Sequence, residues 1–232
     1  MLQWRNKTVI CYFNLGAVQP QDCDFNETWY DPELWTGKFY GPANINSSAE
    51  DWYCERYVDL NDDKVMDALK SRIGLAANVG CDGVDPDNID IYNVDSLGMD
   101  KTTVITKLKE LVKFAKTQTT KRHNPLMFGQ KNAKEIGVNM TTVMDFAVLE
   151  RCLGKENPTD PDDAPFCNTF KKYYLDLKKP VVDIEYPPTL RDEENPPSFC
   201  RKTGYDIAVD GRVCTTDTIF PAEYEQSPQA GP

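Results

Sequence analysis

The chain has 232 residues, enough for one substantial core and close to the roughly 250 residues of a single (β/α) barrel. Its formal net charge of -11 at pH 7 argues against nucleic-acid binding, and no apolar run approaches the ~20 residues that cross a bilayer. Eight cysteines without a CxxC pair, with a single histidine, disfavour a zinc site and favour disulfides. Composition therefore predicts a one-domain protein, without a cofactor, metal ion, nucleic-acid partner or membrane partner.

The cysteine usage also indicates a secreted protein, although the N-terminus lacks the charged-then-apolar layout of a signal peptide. Four glycosylation sequons, at Asn6, Asn26, Asn46 and Asn139, point the same way, but such short motifs also arise by chance. The acidic balance suits a cationic partner through electrostatic focusing, or it simply keeps a secreted protein in solution.

The first half of the chain alternates predicted strands and helices. Thr8–Phe13 is a β-branched and aromatic run typical of a buried strand, and Glu55–Leu60 predicts another strand after a long aromatic-rich loop. The aromatic side chains of that loop suit either a satellite core or sugar stacking. A helix follows residues 61–63, and a second helix is expected to be capped by Thr102 or Thr103.

The second half continues the alternation with four shorter apolar runs. They predict strands at Leu126–Gln130, Phe146–Leu149, Pro180–Ile184 and Tyr205–Val209. Strands that alternate with crossover helices predict a parallel sheet, so we expect an α/β fold of the TIM-type (β/α)8 barrel class. Residues 1–221 form the single predicted domain, and a Pro- and Gln-containing tail at 222–232 is predicted to be disordered.

Residues 80–92, GCDGVDPDNIDIY, end a short apolar run in carboxylates. Period-two alternation places Asp85 and Asp87 on the same side of a predicted strand, and Pro86 withholds a backbone donor near its end. Two carboxylates at one rim raise each other's pKa, as in many acid/base sites. Turn chemistry explains the same residues equally well, whereas the spacing does not fit a twelve-residue calcium loop.

This segment resembles the signature of glycoside hydrolase family 114, the endo-α-1,4-polygalactosaminidases. The resemblance continues in order through five further segments: VICYF at 9–13, ERYVD at 55–59, GQKN at 129–132, FAVLERC at 146–152 and VDIEY at 182–186. It implies a barrel whose first strand and helix are missing here, so that Thr8–Phe13 becomes the second barrel strand. The second and eighth strands are then expected to have open edges.

The resemblance also implies the chemistry, because glycosidases cleave with two carboxylates and barrels keep chemistry at strand ends. Asp87, at the end of the fourth strand, and Glu150, at the end of the sixth, correspond to the family's catalytic pair. By analogy with related barrel enzymes, Asp87 is the expected nucleophile and Glu150 the acid/base of a retaining reaction. The expected substrate is a cationic polysaccharide of α-1,4-linked galactosamine, acted on by a monomer.

Further polar side chains cluster around these two positions in the sequence. The expected substrate-binding residues are Asp85, Asn88, Asp90, Tyr92, Lys131, Asn132, Glu185 and Tyr186. Structural hydrogen bonding is an alternative role for each of them. Lys131 is also expected to be the cation that keeps a neighbouring acid ionised. The chain departs from the family pattern at Gln130, Leu149 and Arg151, which affects contacts to the sugar rather than the two acids.

The eight cysteines allow 105 pairings, and the loops suggest one of them. Three bridges would staple loops: Cys23–Cys54, Cys152–Cys167 and Cys200–Cys214. Cys11 and Cys81 then remain, on adjacent predicted strands, either as a fourth bridge or as buried thiols. A non-catalytic polysaccharide-binding protein on the same barrel is the alternative function, and a metal-dependent deacetylase is disfavoured because His123 stands alone.

Overall fold

The computed structural model describes residues 7–18, 56–94, 98–150, 169–185, 206–209 and 212–214. It falls into two compact units, Met1–Asp145 and Phe146–Pro232. In chain order, the strands are β1 (Ile10–Asn14), β2 (Ala17–Val18), β3 (Arg56–Tyr57), β4 (Gly83–Asp87), β5 (Met127–Lys131), β6 (Phe146–Glu150), β7 (Val181–Glu185), β8 (Asp206–Val209) and β9 (Arg212–Cys214). The helices are α1 (Asp63–Val79), α2 (Lys101–Thr117) and α3 (Gly137–Met140).

The first unit has β4 at the centre of a parallel sheet, with β1 on one side and β5 on the other. Gly83 is required at the start of β4, because a Cβ there would lie 2.8 Å from Ile10 Cδ1 and 2.9 Å from Met127 Cβ. Parallel strands place their carboxyl ends at the same edge of the sheet. The ends of β1, β4 and β5 therefore bring their polar residues together.

The prediction of a parallel strand at Glu55–Leu60 is wrong. Of the described residues 56–60, only β3 is a strand, and it pairs antiparallel with β2, while β1 pairs directly with β4. Val58 and Leu60 are buried in the hydrophobic core after β3 has ended, and the Val58 N–H donates to the carbonyl of Gly16. The β-branched and apolar residues that suggested a strand are explained by this core packing.

The predicted helix after residues 61–63 is confirmed as α1. Its N-cap is Asp62, whose Oδ1 accepts from the Lys64 N–H at 2.8 Å, and it ends at Gly80 in the left-handed conformation. Its apolar stripe packs into the core. Arg72 lies within that stripe and is also buried, which helical periodicity did not predict.

The second predicted helix is confirmed as α2, but its predicted cap is wrong. The N-cap is Asp100 instead of Thr102 or Thr103, and its Oδ1 accepts from the Thr103 N–H at 2.7 Å. A carboxylate suits this position because the free N–H groups of a helix N-terminus carry partial positive charge. Val104, Leu108 and the other apolar residues on one face of the helix are buried in the core of the first unit.

The second unit contains β6, β7 and β8 as neighbouring parallel strands, which confirms the last three predicted strands to within a residue or two. The additional strand β9 was not predicted, and it pairs antiparallel with β8. The expectation of an open edge on the eighth strand is therefore wrong, because β9 occupies it. Among the residues that the structure describes, no strand pairs with the outer edge of β1.

A disulfide joins Cys11 in β1 to Cys81 just before β4, with Cα atoms 5.8 Å apart. Of the two alternatives for this pair, the bridge is the one that the structure contains. The three predicted loop bridges and the predicted tail at 222–232 involve residues outside the described ranges. Within those ranges, no helix has the length and apolar character needed to span a bilayer.

Candidate active site

The carboxyl ends of β1, β4 and β5 form the centre of the candidate site. In the parallel register, Tyr12 lies opposite Asp85 and Asn14 lies opposite Asp87. These side chains share one face of the sheet with Lys131, as the strand alternation requires. The two aspartates of β4 lie at the centre of this group.

Asp85 and Lys131 form a buried ion pair. Lys131 Nζ lies 3.5 Å from Asp85 Oδ2, and the two side chains are only 3% and 9% exposed. In a buried pair each charge compensates the other, so the loss of either side chain would leave an uncompensated charge inside the protein. The pair places a fixed cation within the sheet face that also carries Asp87.

Asp87 lies at the last position of β4 and is only partly buried. Its Oδ2 accepts a hydrogen bond from the Tyr12 hydroxyl at 2.9 Å, and its Oδ1 accepts from the Asn88 N–H at 2.9 Å. The ring of Tyr12 also lies against Lys131, whose Nζ is 5.6 Å from the ring centroid. Tyr12 therefore contacts both the lysine of the buried pair and the partly exposed carboxylate.

The backbone at the end of β4 is held by the turn that follows β1. The Asp87 carbonyl accepts from the N–H groups of Leu15 and Gly16, at 3.0 and 3.1 Å. A Cβ at Gly16 would lie 1.8 Å from the carbonyl oxygen of Asn88, so only glycine fits this approach. The two strand ends are consequently locked together at the site.

Asn88 adopts a positive φ of 54°, a conformation that asparagine tolerates better than most residues. Its Nδ2 donates to Asn14 Oδ1 at 3.0 Å, and the same oxygen accepts from the Ala17 N–H at 2.9 Å. The buried Arg72 donates to the Asn14 carbonyl at 2.8 Å. These contacts give Asn88 a structural role in orienting the turn directly after Asp87.

Asp90 and Tyr92 lie in the loop that follows β4. Burial raises the pKa of the Asp90 carboxyl, and the negative charges of Asp87 and Glu135 raise it further. The Tyr92 hydroxyl donates to Glu135 Oε2 at 3.1 Å, and burial is also the main reason that the pKa of this hydroxyl is raised. Lys101 Nζ lies 5.2 Å from the Tyr92 ring centroid and adds a cation to this acidic rim.

Asn132 follows Lys131 at the end of β5 and has φ of 44°, and the next residue, Ala133, has φ of 56°. Gln130 is fully buried, and its Nε2 donates to the carbonyls of both residues, at 3.1 and 3.0 Å. Two consecutive left-handed residues are strained and need such support. The buried Gln130 thus fixes the turn that carries Asn132.

The remaining predicted residues belong to the second unit. Glu150 is the last residue of β6 and is half-buried. It lies opposite Ile184 of the neighbouring strand β7. Glu185 ends β7, but its side chain and the whole of Tyr186 lie outside the described residues. Asp183 of β7 is fully buried, and the sequence reasoning did not single it out.

Sequence reasoning also missed Tyr12, Asn14 and Arg72. Tyr12 and Asn14 alternate along β1, which is the pattern that could have placed both on one face. Their meeting with Asp87 and Asn88 depends on the pairing of β1 with β4, which no local pattern encodes. Arg72 gave one usable signal, since it interrupts an otherwise apolar helical stripe.

The chemistry that this group supports is acid/base and nucleophilic chemistry by carboxylates. Among the described ranges, no three or more His, Cys, Asp or Glu side chains are grouped as a metal site would need. The site instead combines a partly exposed carboxylate, a buried ion pair and hydrogen-bonding side chains of the kind that bind hydroxyl groups.

Comparison with known proteins relates this arrangement to enzymes that cleave glycosidic bonds. The sequence profile of glycoside-hydrolase family GH114 matches residues 1–217. Among solved structures, Aspergillus fumigatus Ega3, in complex with galactosamine, is 26% identical, with a TM-score of 0.61 over 90% of this chain and 68% of that chain. Comparison with curated protein sequences finds no match.

The glycoside hydrolase domain of PelA from Pseudomonas aeruginosa is also similar in structure. It is 17% identical, with a TM-score of 0.60 over 90% of this chain and 81% of that domain, a level of identity that supports the fold alone. Together with the parallel strands and alternating helices, these likenesses confirm an α/β protein of the TIM-barrel type. The protein is a glycosidase. The chain belongs to glycoside-hydrolase family GH114.

Proposed function

We propose that this glycosidase hydrolyses polymers of α-1,4-linked galactosamine. The observation that carries the proposal is the match to GH114 along residues 1–217, which includes the segment that ends β4 in Asp87. The similarity to Ega3, whose structure contains galactosamine, supports the sugar. The net charge of -11 supports a cationic substrate, because a negative field raises the local concentration of a cationic polymer.

Asp87 and Glu150 are the proposed catalytic pair in a retaining mechanism. An Asp87 oxygen attacks the anomeric carbon, and the bond to the leaving oxygen breaks as that oxygen takes a proton from Glu150. Water then attacks the same carbon and gives a proton to Glu150, and the electron pair of the ester bond returns to Asp87. Family resemblance and the position of each acid at the end of its strand support these roles.

The neighbouring residues are proposed to bind the sugar. Asp85 neutralises the charge of Lys131. The carboxyl groups of Asp87, at the end of β4, and Asp90, in the loop after it, therefore favour a net negative charge here, which suits an ammonium group of the substrate. The other proposed contacts to hydroxyl groups come from Asn88, Tyr92, Asn132, Glu185 and Tyr186. Structural hydrogen bonds already made by Asn88 and Tyr92 predict that these two contribute more to geometry than to affinity.

Release of new reducing ends from α-1,4-galactosamine polymer tests the activity. Asp87→Asn should lower kcat by at least about 10³-fold. Glu150→Gln should lower kcat by about 10²- to 10⁴-fold. Both variants should keep the fold. Asp67→Asn, which changes an exposed carboxylate on α1, is the matched control and should keep full activity. NMR of the first product reports its anomeric configuration, and inversion would contradict the proposed nucleophile.

Two outcomes of this assay would redirect the assignment. Full activity in both site variants would move the chemistry to other acids, with Asp85 and Glu185 the next candidates. If the wild-type protein binds the polymer in a pull-down but releases no reducing ends, the alternative of a non-catalytic polysaccharide-binding protein is favoured. Circular dichroism of each variant separates these outcomes from loss of the fold.

We further propose that the protein is an extracellular, glycosylated monomer. The Cys11–Cys81 disulfide supports an oxidising compartment, and Asn139 of the fourth sequon is exposed on α3. Protein expressed through a eukaryotic secretory pathway should carry N-linked glycans, seen as extra mass that an endoglycosidase removes. Asn139→Gln should lower that extra mass by the mass of one glycan. Light scattering after gel filtration of the secreted protein tests the monomer.

A further inference from the structure

We propose that Tyr12 is a positioning residue for Asp87 and that its hydroxyl stabilises the carboxylate as the glycosyl group departs. This inference rests on the proposed function, but it concerns a residue to which neither the sequence pattern nor the family assignment gave a role. The observation behind it is the 2.9 Å hydrogen bond from the Tyr12 hydroxyl to Asp87 Oδ2.

The position of the Tyr12 hydroxyl is set by neighbouring strands rather than by a loop. Tyr12 lies within β1, directly opposite Asp85, and the backbone of the β1 turn holds the Asp87 carbonyl through two hydrogen bonds. Its ring lies against Lys131, which is in turn held by Asp85. A donor carried by paired strands keeps its distance to the carboxylate within the tolerance that catalysis needs.

The surroundings of Tyr12 indicate a role in chemistry rather than in the core. An interior tyrosine is typically buried with its hydroxyl satisfied inside, whereas Tyr12 is 59% exposed. It nevertheless directs its hydroxyl at the one partly exposed carboxylate that ends β4. Exposure at this place leaves the hydroxyl and the carboxylate reachable by a substrate.

The charge on Asp87 changes during the reaction, and the hydrogen bond changes with it. In the first step the carboxylate becomes a neutral ester, so the bond from Tyr12 weakens as the ester forms. In the second step water attacks the anomeric carbon, Glu150 takes the proton, and the electron pair of the breaking bond returns to Asp87. Negative charge then develops on the Asp87 carboxylate, whose Oδ2 accepts from the Tyr12 hydroxyl, so the hydroxyl stabilises this second transition state.

Tyr12→Phe removes the hydroxyl and keeps the ring beside Lys131. A hydrogen bond to a charged acceptor of this kind corresponds to about a ten- to hundred-fold effect, so kcat should fall by about that factor. Because the second step slows more than the first, KM should fall together with kcat, and the glycosyl-enzyme should accumulate. Intact-mass analysis of acid-quenched protein measures that adduct directly.

Tyr173→Phe is the matched control for this variant. Tyr173 also carries a lysine over its ring, with Lys172 Nζ 5.4 Å from the centroid, but it lies on the helical residues 169–173. It should keep the wild-type kcat and KM. A Tyr12→Phe variant with kinetics equal to those of Tyr173→Phe, or one with lower kcat, unchanged KM and no adduct, overturns the inference.

A double variant separates action through Asp87 from a merely structural role. In the Asp87→Ala variant, azide can take the place of the missing carboxylate as the nucleophile. With an aryl oligogalactosaminide that has a good leaving group, the product is a glycosyl azide. If Tyr12 acts through the carboxylate, Tyr12→Phe has no further effect on this azide-dependent rate. A further loss there would mean that Tyr12 contacts the sugar or maintains the fold, and it would overturn the inference.

The proposed function and this inference fail in different ways. A folded wild-type protein that releases no sugar from any galactosamine substrate overturns both. An active wild-type protein whose Tyr12→Phe variant behaves like the Tyr173→Phe control overturns the role of Tyr12 alone.

Discussion

The two ends of β4 both carry aspartates, but the partners of these aspartates differ. At the amino end, the buried Asp82 accepts from the Val9 N–H at 2.9 Å and lies 3.4 Å from Arg122 Nε. At the carboxyl end, Asp87 accepts from the Asn88 N–H and from the exposed side chain of Tyr12. Carboxylates that are satisfied by backbone and a cation stabilise a strand, whereas a partly exposed carboxylate beside polar side chains remains available for chemistry.

The covalent contact follows the same division. The Cys11–Cys81 disulfide joins β1 to the second residue before β4, and Asp82 lies between Cys81 and the strand. At the opposite end, β1 and β4 are joined by hydrogen bonds alone. We infer that the amino end of β4 mainly maintains the fold and that the carboxyl end sacrifices some stability for function.

The largest effect on stability should come from the buried ion pair of Asp85, which lies in the middle of β4, between the two ends. Lys131→Met leaves Asp85 buried without its cation, so the free energy of unfolding should fall by about 3–5 kcal/mol. Adding Asp85→Asn to that variant removes the uncompensated charge and should restore part of the loss. Urea denaturation measures both changes.

The control for this prediction is the exposed pair of Lys70 and Glu110, whose side-chain atoms lie 2.7 Å apart on α1 and α2. Lys70→Met should change the free energy of unfolding by no more than about 1 kcal/mol, since water screens an exposed pair. Equal losses in Lys70→Met and Lys131→Met would show that burial does not set the energy of the site pair.

A smaller loss is expected from the disulfide at the amino end. The bridge joins residues separated by 70 positions, and closing a loop of that size restricts the unfolded chain. Replacing Cys11 and Cys81 by serine should lower the free energy of unfolding by about 2–4 kcal/mol. The folded fraction should keep the wild-type kcat, whereas a loss of kcat without loss of stability would contradict the division between the two ends.

The smallest effect concerns pH. The pKa of the Asp90 carboxyl is raised mainly by burial, so the folded state takes up its proton at a higher pH than the unfolded chain does. The stability that Asp90 contributes therefore decreases as pH rises through its folded pKa. Asp90→Asn should raise the urea midpoint at pH 7, and the gain should shrink as pH falls below the ordinary aspartate value of about 3.9.

The N-cap of α2 provides a control of opposite sign. Hydrogen bonding by the Thr103 N–H lowers the pKa of the Asp100 carboxyl, so its contribution to stability is present at neutral pH and is lost as pH falls through its folded pKa. Asp100→Asn should lower the urea midpoint at pH 7, with the difference disappearing in acid. If Asp90→Asn and Asp100→Asn changed the urea midpoint at pH 7 in the same direction, burial would not be the cause of the Asp90 effect.

Much of the local structure could be predicted from the sequence. The stripe and caps of α1 follow from residues a few positions apart, and so does the alternation that puts Asp85 and Asp87 on one side of β4. The cap of α2 and the strand at Glu55–Leu60 were predicted wrongly. In both places several residues satisfy the same local rule, and the contacts of Asp100 and the burial of Val58 decided between them.

The sequence by itself determined the positions of the two long helices and of most of the parallel strands, which residues end β4, and to which family the carboxylate-rich segment points. The tertiary structure alone decided that β1 lies beside β4, because strand pairing depends on long-range register and on which apolar faces meet in the core. That pairing brings the Tyr12 hydroxyl to Asp87 across a separation of 75 residues. It also brings Asn14 to Asn88 and Arg72 to Asn14, contacts that no pattern of neighbouring residues contains.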